Sequence, residues 1–85
     1  MTIKEMADKT VEIEKAHGVS VYVGYNTDTK WFEFCMYKKN ARLVRRFSTD
    51  EMIKWDIDDF EAQLERMADE ICSAVEYHKT KEVVE

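Results

Sequence analysis

Two periods of apolar residues follow one another along the chain, and each specifies a kind of element. Ile3, Met6, Thr10, Ile13 and His17 step by three and four, with Ala7 beside them, and so share one face of a helix over residues 1–17. Thr2 and Glu5 stand at capping-box spacing at its start. Gly18 supplies the stop, and His17 lies in the last turn, where a cationic ring suits the helix dipole.

From residue 19 the period becomes two. Val19, Val21, Val23 and Tyr25 alternate with Ser20, Tyr22 and Gly24, then Asn26-Thr27-Asp28-Thr29 reads as a turn. A second strand is expected over 30–38, a tight turn at Lys39-Asn40 with Asn tolerating positive φ, and a third strand over 41–47. A turn centred on Thr27-Asp28 pairs Val23 with Phe32, Val21 with Phe34 and Val19 with Met36. A two-residue turn at Lys39-Asn40 pairs Met36 with Leu43, Phe34 with Arg45 and Phe32 with Phe47. Both turns place Phe32, Phe34 and Met36 on the face of the valines, so the inner face of a meander over 19–47 is Val19, Val21, Val23, Phe32, Phe34, Met36, Leu43 and Phe47. Arg45 is the misfit on that face and is expected to extend its head to water. The outer face holds Ser20, Tyr22, Gly24, Trp31, Glu33, Cys35, Tyr37, Arg42, Val44 and Arg46, with Glu33 beside Arg46, Tyr37 beside Arg42, and Trp31 over Gly24.

Ser48 and Glu51 repeat the capping spacing ahead of a short helix over 49–55. A long helix over 57–79 then starts at Asp56 or Asp58. Its stripe of Ile57, Phe60, Leu64, Met67, Ile71, Ala74 and His78 is the strongest helical signal in the chain, and residues 80–85 are expected to fray. The expected architecture is a single α+β domain over 1–85, of order α-β-β-β-(α)-α, with helices packed on one face of a three-stranded antiparallel meander.

Composition supports a small regular fold. A chain of 85 residues buries only ~60% of its unfolded surface. With 45% hydrophobic residues, no proline and only Gly18 and Gly24, it has apolar content for a core and few breaks. Cys35 and Cys72 form no spaced pair, which points to a reducing, cytoplasmic compartment rather than a disulfide framework. The first residues lack the uninterrupted apolar run of a signal peptide, and no stretch has the ~20 apolar residues of a membrane span.

Charge changes the picture more. The net charge is −5, but residues 30–47 carry six bases and one acid, whereas residues 48–85 carry four bases and twelve acids. Such segregation invites a binding reading, although the two parts can also neutralise each other within the fold. One candidate surface is the acidic helix. Asp58, Glu61, Glu65 and Asp69 form a row at helical spacing, with Asp50 and Glu51 ahead of it. Like charges so spaced repel by a few tenths of a kcal/mol per pair, and a row of carboxylates on a rigid helix could imitate DNA phosphates in a basic groove. The plainer reading is a solvated face, with Asp56, Asp58 and Asp59 serving the helix N-terminus. The other candidate is the outer sheet face, where Tyr22, Trp31, Tyr37, Arg42 and Arg46 could stack bases and attract phosphates of single-stranded nucleic acid, meet a protein, or simply cover the sheet.

Other chemistries find little footing. The soft metal ligands Cys35, Cys72, His17 and His78 contain no short-spaced pair, and no calcium-loop spacing occurs, so no metal or cofactor is expected. There is no Gly-rich phosphate loop, no nucleophile elbow and no patterned His with Ser or Cys. The chain reads as non-enzymatic.

Two resemblances rest on this organisation. The order α-β-β-β-α is similar to the double-stranded RNA-binding domain, whose last helix opens on a basic cluster. Here that place is Asp56-Ile57-Asp58-Asp59, so no RNA-binding residue carries over. In size, charge and element order the chain also resembles small acidic phage-encoded proteins, among them anti-CRISPR inhibitors that block Cas nucleases. That resemblance implies an inhibitor acting in a bacterial cytoplasm. Its acidic helix would engage the basic surface of a nuclease or another nucleic-acid-binding protein. Separately, the long apolar stripe or the outer sheet face could form a dimer core, so both monomer and homodimer stay open.

Overall fold

A computed structural model describes the backbone of residues 1–84 and the side chains of residues 1–75. The elements run in the expected order: α1 (Ile3–His17), β1 (Ser20–Asn26), β2 (Trp31–Lys38), β3 (Ala41–Ser48), α2 (Thr49–Met52) and α3 (Ile57–Val84). The strands form one antiparallel sheet in the order β1-β2-β3, and the helices cover one of its faces.

Each helix begins where its capping chemistry dictates. The Thr2 amide donates to Glu5 Oε1 at 3.0 Å and the Glu5 amide to Thr2 Oγ1 at 3.1 Å, so two orphan amides of the first turn satisfy each other's side chains. Gly18 ends α1 in the left-handed region at φ 64°, and its amide donates to the Glu14 carbonyl. Ser48 caps α2 through the Glu51 amide at 3.2 Å. The helix here is shorter than the 49–55 expected, because the Lys54 and Trp55 amides turn back onto the Glu51 and Met52 carbonyls. Asp56 then starts α3: its carboxylate accepts from the Asp59 amide at 2.9 Å while Asp59 accepts from the Asp56 amide at 3.1 Å. α3 runs on to Val84, past the end expected at 79 and through most of the stretch expected to fray, while Glu85 and the side chain of His78 lie outside the described residues.

The second hairpin has the expected register, with Met36 opposite Leu43, Phe34 opposite Arg45 and Phe32 opposite Phe47. Lys39, at φ 53°, takes the left-handed position of its turn in place of Asn40. The first hairpin is displaced by two residues: Val21 faces Met36, Val23 faces Phe34 and Tyr25 faces Phe32. The cause is a four-residue connection. The Asn26 side chain accepts from the Asp28 and Thr29 amides, and Lys30, at φ 61°, returns its amide to the Asn26 carbonyl. A shift of two preserves every residue's face, so the expected inner set stands. It does move Trp31 opposite Asn26. What lies over Gly24 is the ring of Tyr22, which a Cβ there would meet at 2.8 Å.

Phe34, Phe60, Met36, Leu64 and Met67 are fully buried. Around Phe34 the rings of Phe47, Phe60 and Trp55 pack edge-on at 5.2, 5.6 and 6.1 Å. Three expected helical positions, Ile3, Ala7 and Ala74, leave the core. Ile3 is 86% exposed. Ala74 is exposed, while Ala68 is buried and Cys72 and Val75 are half-buried. The sequence stripe steps at a mean of 3.5 residues, and a straight helix drifts ~20° per heptad against that repeat.

Candidate functional site

The outer sheet face is built by alternation alone. Residues of even number on β1 and β3, and odd on β2, point away from the helices. Tyr22, Trp31 and Tyr37 are 62%, 40% and 41% exposed there. Cys35 sits at the centre of the same face but is buried, flanked in register by Tyr22 and Val44. Arg46 Nε donates to Glu33 Oε1 at 3.0 Å, and the Arg42 guanidinium lies 6.0 Å from the centre of the Tyr37 ring. At one end Asn26, Thr29, Trp31, Glu33 and Arg46 line a depression. All five expected residues of this face, Tyr22, Trp31, Tyr37, Arg42 and Arg46, are therefore exposed together. Of the two arginines, Arg46 is neutralised in place by Glu33, whereas Arg42 makes no ion pair among the described residues.

The acidic row divides. Glu61 accepts from Lys9 Nζ at 2.7 Å and Glu65 from His17 Nε2 at 2.8 Å. Both carboxylates therefore dock α1 onto α3. Lys9 also reaches Glu12 at 2.9 Å, and hydrogen bonding to Glu61 first and Glu12 second raises its pKa above the usual lysine value. Asp58 and Asp69 are exposed, as are Asp50 and Glu51, and none of these four makes an ion pair among the described residues. Asp56 and Asp59 serve the start of α3, as described above. Arg45 turns out of the inner face to bond Glu70 on α3, so another acid of the helix is neutralised by the fold.

The soft ligands are dispersed. Lys38 Nζ donates to the His17 carbonyl at 2.9 Å and to Cys72 Sγ at 3.3 Å, tying β2 to the end of α1 and to α3. Among the described residues no group of three His, Cys, Asp or Glu side chains converges, and no buried side-chain nitrogen or oxygen lacks a hydrogen-bond partner. No helix among them is long and apolar enough to cross a membrane. Lys9, Lys38 and Trp55 take structural roles that no local pattern announces: each meets a partner distant in sequence only when the elements pack together.

Searches for a matching protein-family model, a related curated protein and a similar solved structure found no match to this chain.

Proposed function

We propose that this chain is a small non-enzymatic interaction module whose contact surface is the outer face of the sheet. The observation that carries this reading is the grouping of three exposed aromatic rings, Tyr22, Trp31 and Tyr37, on a sheet face that no helix covers among the described residues. Exposed aromatic patches of this kind suit protein contacts, where large rigid rings supply area at low entropy cost. A protein is favoured over nucleic acid because the Glu33–Arg46 pair leaves the face with little net positive charge, and the molecule as a whole carries −5.

A second reading, the inhibitor of a basic nucleic-acid-binding protein, draws support from Asp50, Glu51, Asp58 and Asp69. These keep carboxylates at the surface that make no ion pair among the described residues, after Glu61 and Glu65 have been used internally. Affinity capture from cells of the natural host separates the two. On the first reading Tyr22→Ala with Trp31→Ala abolishes capture of a protein, while Asp58→Lys with Asp69→Lys retains it. The reverse pattern replaces the sheet face by the acidic helix. Binding of a labelled single-stranded oligonucleotide at low salt, lost in Trp31→Ala, overturns both in favour of nucleic acid.

A further inference from the structure

The sheet has two edges, β1 and β3, and they differ in chemistry. β3 carries Arg42, Arg45 and Arg46, the kind of charge that keeps an edge from pairing with its own kind. β1 reads SVYVGYN, with neither charge nor proline over its whole length.

One contact identifies which groups of β1 face outward. The Val21 amide donates to Glu14 Oε2 at 3.0 Å and so points away from β2. Hydrogen-bonding direction alternates along a strand, so Val21, Val23 and Tyr25 present their amides and carbonyls to the open edge, while Ser20, Tyr22, Gly24 and Asn26 pair with β2. Glu14 occupies the first outward amide. Those of Val23 and Tyr25 have no partner among the described residues.

We propose that β1 pairs antiparallel with β1 of a second copy of this chain, with Gly24 opposite Gly24 on the two-fold axis. This register joins Val23 of each copy to Tyr25 of the other through both amide–carbonyl bonds, and uses only the open groups. Centring on Val23 instead would set Tyr25 against Val21, whose amide Glu14 already holds. On the axis the two strands meet at a non-hydrogen-bonded site, where Cα atoms approach to ~4.5 Å. Gly24, without a Cβ, suits that approach.

The side chains agree with the register. Tyr25 belongs to the helix-side face and packs on Phe32 at 4.7 Å, yet it remains 46% exposed at the end of the sheet. In the dimer Val23 of the second copy lies beside it, a β-branched–aromatic cross-strand pair. An uncharged strand places no like charges opposite each other under two-fold symmetry, and it offers no charge for a foreign strand to read. A seven-residue strand pair stays below the ~1,200 Å² of a standard stable interface, so the dimer is weak and concentration-dependent. Because each copy carries −5, added salt strengthens it by screening their repulsion.

Sedimentation velocity across a concentration series, with amide hydrogen exchange on the same samples, tests the pairing. The expected result is a monomer–dimer equilibrium. The Val23 and Tyr25 amides exchange at least about ten-fold more slowly in the dimer, and Val21 is unchanged. Tyr25→Lys, checked for folding by circular dichroism, raises the dissociation constant at least about ten-fold, whereas Trp31→Ala leaves it unaltered. If Tyr25→Lys does not fold, exchange in the unaltered chain decides. A monomer at every concentration overturns the proposal. So does a dimer whose Val23 and Tyr25 amides exchange as fast as in the monomer, or one that Trp31→Ala dissolves and Tyr25→Lys does not. The outer-face reading of function stands or falls separately, on capture by the Tyr22 and Trp31 variants.

Discussion

Replacing Phe34 by Ala tests the assignment of the two sheet faces more severely than any other single change. Phe34 is fully buried, and three aromatic rings surround it. Deleting such a ring costs about 3–5 kcal/mol through lost transfer energy and the cavity left behind. A domain of 85 residues has roughly 4–13 kcal/mol of total stability, so the variant is expected to lose a large share of it. At roughly 4–8 °C per kcal/mol for this size, its melting temperature falls by at least ~12 °C. Trp31→Ala and Tyr37→Ala, on the same strand but the opposite face, each cost within about 1 kcal/mol. Thermal and urea unfolding followed by circular dichroism measure all three. A loss below about 1.5 kcal/mol for Phe34→Ala, or an equal loss for Trp31→Ala, would refute the placement of the helices on one face only.

Gly18→Ala meets no neighbouring atom within 4 Å but must hold φ 64°, so it costs about 1 kcal/mol from backbone strain alone, read as a shift of the urea midpoint. Hydrogen bonding from Thr2, side chain first and amide second, holds the Glu5 carboxyl below its usual 4.5. The cap's contribution is therefore present above 4.5 and is lost as pH falls through the lower folded value; in Thr2→Ala the Glu5 titration, followed by NMR, returns toward 4.5. For Lys9 the sign is opposite: its raised pKa gives stability that is fully present below the usual 10.5 and lost as pH rises through the folded value. Glu61→Gln brings the Lys9 titration back down, and an unchanged titration would show that the Lys9–Glu61 contact does not form in solution.

The faces of the elements were legible because a period of two survives a register error of two. The turn residues Lys39-Asn40 gave the second hairpin correctly. In the first, the Asn26 side chain organises a longer connection and Lys30 adopts a positive φ, which lysine does not advertise. Trp55 was unreadable as core because it stands outside any periodic run, in the turn between two helices. On the outer face, Tyr22, Trp31, Tyr37, Arg42 and Arg46 were found from alternation alone. The division of the acidic row was not, since it depends on α1 lying against α3. His17 and Glu65 are 48 residues apart in the chain, and no local pattern records which lysine or histidine will arrive beside which carboxylate.

That packing also sets an order of assembly. The meander is made of neighbouring strands joined by short connections, so its pairing closes only small loops. Attaching α1 to α3 closes a loop of 48 residues, for which chain entropy exacts ~3 kcal/mol. In return α1 has Ile13 as its one buried residue, together with the contacts of Lys9 and His17. With so little buried, α1 is expected to be the element that detaches first by sub-global opening, while the aromatic cluster around Phe34 persists.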